Sequence, residues 1–367
     1  MVKLVCFDHI KWGASSRSSL SYSKRSSDEI TIGKADATLM KWKLHIIIKY
    51  LGSFLAENVT LLIFGRDILS KIQSDLDPAL YHWWMWRYAQ LAQQLIGSDK
   101  CPTLLRIFED AIVALRDSNL IQNRATRKLY LCEYIQTSLD YFKYEDSISA
   151  LAELEEIHGV KYSLSGAMGR RTKHQSFSVP QLYIKMDDCR EEKEIDELDT
   201  LDNKIDIINE VLDDDNTLAQ IKFDDENIKS SAEGVTSLGS TIALVKMTVL
   251  MRTGPTKDRL NEEEQLTFIN FVLSNQQAAP SIIFEALKYR SKLEVYKFAQ
   301  AHRGMKQFQA LVDFYDSNQD FSHQHFFASR LMPRWELRRM LCKSFISMGM
   351  TKSALEQYLS MLFLNQD

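Results

Sequence analysis

The amino-acid sequence predicts an all-α protein, a helical-repeat α-solenoid with an acidic disordered insert. Glycine and proline are scarce, at 13 and 6 of 367 residues, about half of the roughly 12% that the two contribute on average. A β-sandwich or barrel needs turn residues about every 8–12 positions, so the scarcity excludes a mainly β fold. Apolar residues recur instead at helical spacing, and short linkers between the helical stretches favour stacked helical pairs.

Residues 36–186 predict an N-terminal helical-hairpin domain. Asp77-Pro78 and Cys101-Pro102 each place proline in the first turn of a helix, where its missing N–H costs nothing. Gly159 stands where a helix would close in the left-handed conformation. The first helix is expected from Asp36, and the others at 59–73, 78–97, 102–117, 123–143 and 145–158.

Two segments lack a globular pattern. Residues 1–35 contain eight serines between positions 15 and 27, which predicts a flexible leader. Residues 187–235 form a predicted acidic, low-structure insert: the stretch from Asp187 to Glu226 has 17 acidic and 4 basic residues. So charged a run buries too little apolar surface to offset its chain entropy, with room for some helix around Ile205 to Leu212.

Residues 236–367 predict a second helical segment. Asn261 followed by Glu264 is close to a capping box, and Pro280 and Pro333 suit the starts of two further helices. The sequence Met348-Gly349-Met350 is a turn short enough to force the last two helices into an antiparallel hairpin. The expected helical stretches are 241–251, 262–275, 281–290, 292–315, 334–348 and 352–363.

The last predicted hairpin follows the tetratricopeptide pattern of small and large residues at the crossing of two helices. Ala354 would be the small residue at the crossing, while Phe345 and Tyr358 would fill the space beside it. Arg338 and Gln366 occupy the usual tryptophan and proline positions, so the match is partial. The residues in step with the pattern are Leu341, Cys342, Phe345, Gly349, Ala354 and Tyr358.

A basic loop at 166–175 is the strongest candidate binding site. Arg170, Arg171, Lys173 and His174 could engage a phosphate, an acidic peptide or an RNA backbone, because guanidinium groups bind such oxyanions with two parallel hydrogen bonds. Alternatively, they pair with the acidic insert or are simply solvated. Nucleotide binding is not expected, since Leu164 stands where a phosphate loop needs glycine.

A helix crowded with aromatic residues allows two interpretations. Residues on one helix point about 100° apart in succession, so large neighbouring side chains cannot all face one core. In a solenoid a helix is packed on most sides, which favours a core role, and a partner-binding patch is the alternative. The aromatic residues are Tyr81, Trp83, Trp84, Trp86 and Tyr88.

Three motifs resemble the family of tetratricopeptide repeat protein 27 and its fungal cell-wall-maintenance relatives. The first is Gly166-Ala167-Met168-Gly169-Arg170-Arg171-Thr172-Lys173-His174-Gln175, similar to the family's Gly-x-x-Gly-basic-Arg-Thr-basic-x-Gln signature. The second is Trp83-Trp84 within a helix. The third combines Arg290-Ser291-Lys292-Leu293-Glu294 with the stretch from Pro333-Arg334-Trp335 through Gly349 to Ala354.

The resemblance covers roughly residues 36 to 360 and implies a non-enzymatic intracellular scaffold. Its partners would be proteins, with chaperone machinery among them during the assembly of large complexes. The leader has no counterpart in the family, and the chain stops where the family's main repeat array would continue. We therefore expect an N-terminal portion from a truncated gene model or short isoform, with an open apolar face that promotes self-association.

The sequence predicts no catalytic residues, cofactor or metal site. It contains no Gly-x-Ser-x-Gly, His-Glu-x-x-His or Gly-x-Gly-x-x-Gly motif, and His323 and His325 do not share a helix face. The five cysteines lack C-x-x-C spacing, which is typical of reduced thiols in a cytoplasmic protein, and a nuclear location is also compatible. No apolar run is long enough for a bilayer, so no membrane contact is expected. Nucleic acid is a less favoured partner than protein.

Overall fold

A computed structural model describes residues 59–97, 99–188, 207–212, 216–225, 228, 232, 234–255, 258–318 and 325–363. The predicted leader and the helix expected from Asp36 lie outside these residues, as does much of the acidic insert. The described part of the chain is mostly helical, which confirms the predicted fold class. It also contains a small sheet that was not predicted.

In the part of the chain that the structure describes, five α-helices precede the sheet and lie close to their predicted bounds. Asp77 caps the second of them by accepting hydrogen bonds from the N–H groups of Ala79 and Leu80, at 2.9 and 3.2 Å. Gly159 closes the fifth with φ +76°, as the sequence predicts. These helices are α1 (Val59–Lys71), α2 (Pro78–Ile96), α3 (Pro102–Arg116), α4 (Arg124–Asp140) and α5 (Tyr144–His158).

Among the described residues, seven α-helices follow the sheet. The short helix at Phe326–Ser329 was not predicted, and several others begin or end a few residues from their predicted bounds. The helix expected at 262–275 starts earlier, because Asp258 rather than Asn261 caps it. The long stretch expected at 292–315 is divided, since one helix continues to Glu294 and the next begins at Ala301. The helices are α6 (Ser237–Thr253), α7 (Arg259–Leu273), α8 (Pro280–Glu294), α9 (Ala301–Ser317), α10 (Phe326–Ser329), α11 (Arg334–Ser347) and α12 (Thr351–Phe363).

Three antiparallel strands form the sheet: β1 (Val160–Thr172), β2 (Val179–Asp188) and β3 (Thr217–Phe223), in the order β2-β1-β3. The β1–β2 register runs without interruption from the Val160–Asp188 pair to the Gly169–Val179 pair. The prediction of a loop over 166–175 is therefore wrong for Gly166–Thr172, which belongs to β1. Only residues 173–175 lie in the turn that follows.

The predicted acidic insert contributes two structured pieces. Strand β3 lies within it and pairs with the far end of β1. The helix that the sequence allows around Ile205 to Leu212 does not form over residues 207–212, which are not helical. Instead, the backbone of Ile208 and Glu210 hydrogen-bonds to the side chain of Gln307 on α9.

The helices form an array in which each packs mainly on its neighbours. Contacts run along α6, α7, α8, α9, α11 and α12 in order, and α4 and α5 both pack on α6. One apolar core joins α1 and α2 to α8, α9 and α11, and a second joins α4, α5 and the sheet to α6 and α7. The sheet rests on the array through contacts of β1 with α5 and of β2 with α7.

Candidate functional site

The predicted basic residues lie together at the tip of the β1–β2 hairpin. Arg170 and Arg171 occupy the end of β1, Lys173 and His174 follow in the turn, and all four are exposed. On the adjacent strand, Lys222 is the cross-strand partner of Arg170, which adds a fifth exposed cationic or titratable group. We call these five residues the hairpin tip.

The segment from Gly166 to Gln175 shapes the hairpin tip. Gln175 accepts a hydrogen bond from the backbone N–H of Arg171 at 3.0 Å and donates one to the carbonyl of Phe177 at 2.7 Å. Gly169 allows β3 to approach, because a Cβ there would lie 3.0 Å from the carbonyl oxygen of Lys222 and 3.2 Å from the Ile221 side chain. The glycine and glutamine therefore hold the strands and the turn in place.

The charges of the hairpin tip are available to solvent. Within the described part of the chain, no carboxylate forms an ion pair with Arg170, Arg171, Lys173 or His174. Like charges on Arg170 and Lys222 face each other across the sheet, which is mildly unfavourable without a counter-charge. This arrangement suits an external anion, although it is equally compatible with solvated side chains.

The terminal hairpin packs as its sequence pattern suggests. Leu341 and Cys342 are fully buried, Ala354 is 2% exposed, and Phe345 is buried between α11 and α12. Gly349 has φ +77° and closes the turn, and Tyr358 is half-buried. Whether this hairpin is one unit of a tetratricopeptide array stays a prediction.

The aromatic helix is part of the core. Trp83, Trp84, Trp86 and Tyr88 on α2 are all buried, and only Tyr81 is half-buried. Trp86 contacts Phe108 on α3 and Tyr130 on α4, with ring centroids 5.2 and 5.8 Å apart. The helix is covered on most sides, which agrees with the core interpretation rather than an exposed patch.

The described residues contain no cluster of metal ligands, and the two buried cysteines among them are not reactive. No group of three His, Cys, Asp or Glu side chains in this part of the chain could hold a metal ion. Burial raises the pKa of the Cys132 thiol, and it raises that of Cys342 to about 11, so both thiols stay protonated near neutral pH. None of the described helices is long and apolar enough to cross a membrane.

Sequence reasoning identified the cations of the hairpin tip but not the strands that present them. Val160, Tyr162 and Leu164 alternate with polar residues, a two-residue period that is typical of a half-buried strand. Val160 and Tyr162 are indeed buried, and Ile184 of β2 joins them in the core. Lys222 had no local signal, because it reaches the tip only through the pairing of β1 with β3.

Comparisons with curated proteins find three related sequences. A tetratricopeptide repeat protein 27 homologue of Dictyostelium discoideum is 26% identical over 254 residues, 66% of this chain and 29% of the relative. A TPR repeat-containing protein of Schizosaccharomyces pombe is 26% identical over 362 residues, 82% of this chain and 42% of the relative. The Saccharomyces cerevisiae protein named as essential for maintenance of the cell wall is 33% identical over 129 residues, 31% of this chain and 14% of the relative.

These matches confirm the resemblance inferred from the three motifs. The chain spans less than half the length of each of these relatives. No family model matches the sequence. No solved structure matches it either.

Proposed function

Because this chain is similar to tetratricopeptide repeat proteins of the protein 27 type, we propose that it is a non-enzymatic protein-interaction scaffold of that repeat class. The main structural support is the succession of contacts along α6, α7, α8, α9, α11 and α12. Helices that pack mainly on their neighbours form an extended surface, and such surfaces suit a protein partner. The names of these relatives support the same general function.

The finer features of this proposal depend on the family resemblance alone. We propose that the partners include chaperone machinery acting in the assembly of large complexes. We also propose that the protein works in the cytoplasm, with the nucleus as a second location.

Anion or RNA binding at the hairpin tip is a second candidate function. The observation that favours it is the cluster of exposed charges on Arg170, Arg171 and Lys173, without a carboxylate partner among the described residues. Guanidinium and ammonium groups at such a tip would contact phosphate oxygens without selecting a base sequence.

Binding to a purified partner tests the scaffold proposal. Affinity capture on the full chain would identify candidates, and binding of each purified candidate would then be measured by calorimetry. A scaffold should bind through a broad surface, so the triple variant R170Q/R171Q/K173Q should keep affinity within about threefold. Failure of every purified candidate to bind the full chain would contradict the proposal.

A matched variant separates the hairpin tip from general charge effects. R106Q/R259Q/K352Q removes the same number of charges from exposed side chains elsewhere. If the hairpin tip binds RNA, a single-stranded oligonucleotide should lose affinity in R170Q/R171Q/K173Q but not in the matched variant. Its affinity for the wild-type chain should also fall steeply with salt, by a logarithmic slope of about 0.7 for each phosphate contact. Equal affinity in both variants would exclude the hairpin tip as the site.

A further inference from the structure

A cavity of about 720 Å³ lies between helices that precede the sheet and helices that follow it. Its lining comes from the end of α2 and the linker after it, the end of α4, helices α6, α8, α9 and α11, and the segment between α10 and α11. Seven lysine and arginine side chains line it, against two carboxylates, those of Asp140 and Glu336. We call it the cationic cavity.

Three of the seven cations are neutralised by the protein itself. Arg330 pairs with Asp140 at 2.5 Å, and Arg339 pairs with Glu336 at 2.5 Å. Lys288, which is buried, pairs with Glu285 beneath the cavity wall. The Glu285 carboxylate also accepts a hydrogen bond from the backbone N–H of Met332 at 2.7 Å. Polar contacts therefore hold this part of the wall in place.

The other four cations have no such partner. Lys100, Arg252, Lys292 and Lys343 form no ion pair with a carboxylate in the described part of the chain. Lys100 is half-buried and lies over the rings of Tyr141 and Phe142, whereas Arg252, Lys292 and Lys343 are solvent-accessible. They belong to four different elements, so the fold rather than the local sequence brings them together.

The cations of the cavity affect one another. Partial burial lowers the pKa of Lys100, and the positive charges of Arg330 and Arg252 lower it further, against the opposing effect of the Asp140 carboxylate. The lost hydration of its ammonium group lowers the pKa of Lys292, and the charges of Lys288 and Arg252 lower it further, against the opposing effects of Tyr289 and Glu336. The Nε–H of Arg339 is buried and donates to no described group. The cavity therefore has an excess of positive charge and a spare buried donor.

We propose that the cationic cavity binds a small molecule that carries several phosphate groups. Four unpaired cations from four different segments of the chain line the same space, which suits a compact polyanion better than an extended one. The volume is within the roughly 300–1,000 Å³ of small-molecule sites, and it far exceeds that of one inorganic phosphate. Lysine and arginine are the usual ligands of phosphate groups, since they supply charge-assisted hydrogen bonds.

Calorimetry with the full chain tests this proposal, which does not depend on the scaffold function. The probes are inositol hexakisphosphate and tripolyphosphate, titrated at physiological ionic strength. Inorganic phosphate, which has a single phosphate group, is titrated for comparison. We expect saturable binding of at least one polyphosphate with one site per chain, and much weaker binding of inorganic phosphate. No measurable binding of either polyphosphate would overturn the proposal.

Variants locate the binding in the cavity. R252Q/K292Q/K343Q removes three cations that have no carboxylate partner, so the fold should survive, whereas R106Q/R259Q/K352Q removes three exposed cations elsewhere. Each lost charged hydrogen bond should weaken binding by about tenfold or more. The cavity variant should thus lose at least a hundredfold in affinity, and the matched variant less than threefold. Equal losses would show general electrostatic attraction and overturn the proposal.

Two further measurements keep the test decisive. The single variants K343Q and K343R are measured beside the triple variant, and K343R should retain affinity because it keeps the charge. A peptide of ten glutamates competes with the polyphosphate in a separate titration. Displacement of the polyphosphate by this peptide at comparable concentration would show that the cavity accepts an acidic polypeptide, and would overturn the choice of a small molecule.

Discussion

Glu133 on α4 organises the polar contacts between α4 and α2. Its carboxylate accepts a hydrogen bond from Trp83 Nε1 at 2.8 Å and two from Arg87, at 3.0 and 2.6 Å. Glu133 is 2% exposed, and the Arg87 guanidinium also lies over the rings of Trp84 and Phe327. One carboxylate therefore satisfies a buried indole and a largely buried guanidinium.

We expect Glu133→Gln to destabilise the protein by about 3 kcal/mol, because it leaves the Arg87 charge without a counter-charge in a largely buried place. Urea unfolding followed by circular dichroism would measure the change. Glu153→Gln is the matched control, since the Arg127–Glu153 pair has side chains that are 45% and 40% exposed. Exposed pairs contribute about 0–1 kcal/mol. Similar losses in the two variants would contradict this account.

The candidate-site residues were predictable only where they are neighbours in the chain. Arg170, Arg171, Lys173 and His174 lie within five positions, so they are recognisable in the sequence as a local cluster of basic residues. The cationic cavity gave no such signal, because Lys100 and Lys343 belong to distant parts of the sequence and approach each other only in the folded array. Sequence reading finds charge clusters that are local and misses those that packing creates.

At the scale of elements, helices were predictable and strands were not. Helix starts such as Pro78, Pro102 and Pro280 combine a fixed φ with an apolar period of 3.6, two independent signals that agree. Strand β1 contains Gly166 and Gly169 and has two arginines before its last residue, Thr172, so its two-residue period is limited to its first half. A strand with such weak local propensity forms because tertiary pairing with β2 and β3 stabilises it.

The turn between α11 and α12 offers a test of backbone conformation. Gly349 has φ +77°, and a Cβ there would meet no atom within 4 Å, so only the backbone energy opposes a substitution. We expect Gly349→Ala to lower the free energy of unfolding by about 1 kcal/mol, because a left-handed conformation costs an alanine that much. Thermal unfolding of the full chain would measure it.

Gly166→Ala is the matched control for that turn. Gly166 has no positive φ, and a Cβ there would come no closer than 4.0 Å to the carbonyl oxygen of Gln181. We expect no loss at this position, and a small gain from the lower entropy of the unfolded chain. A penalty at Gly166 as large as that at Gly349 would refute the conformational explanation.

At the scale of the whole molecule, residues 207–212 tie the acidic region to the helical array. Gln307 is fully buried, accepts from the backbone N–H of Glu210 at 2.8 Å and donates to the carbonyl of Ile208 at 2.7 Å. Arg290 adds a hydrogen bond to the side chain of Asn209 at 2.7 Å. The segment is not helical, and these contacts replace the hydrogen bonds that a helix would provide.

We expect Gln307→Ala to release this segment while most of the array stays folded. Hydrogen–deuterium exchange should show the Glu210 amide exchanging about tenfold faster or more, because it loses its buried acceptor. Gln309→Ala is the control, since the side chain of Gln309 bonds only to Asp313 on the exposed face of α9. Unchanged protection of the Glu210 amide in Gln307→Ala would contradict the proposed attachment.

The two-sided attachment of the acidic region bears on what happens if the chain is cut. Strand β2 is held on one side by β1 and α7, and residues 207–212 are held on the other by α8 and α9. The cores themselves join α1 and α2 to α8, α9 and α11, and α4 and α5 to α6 and α7. A broken peptide bond between residues 189 and 206 would therefore sever the polymer without separating the molecule. Two polypeptides divided there would complement each other through the shared cores and the β1–β3 pairing.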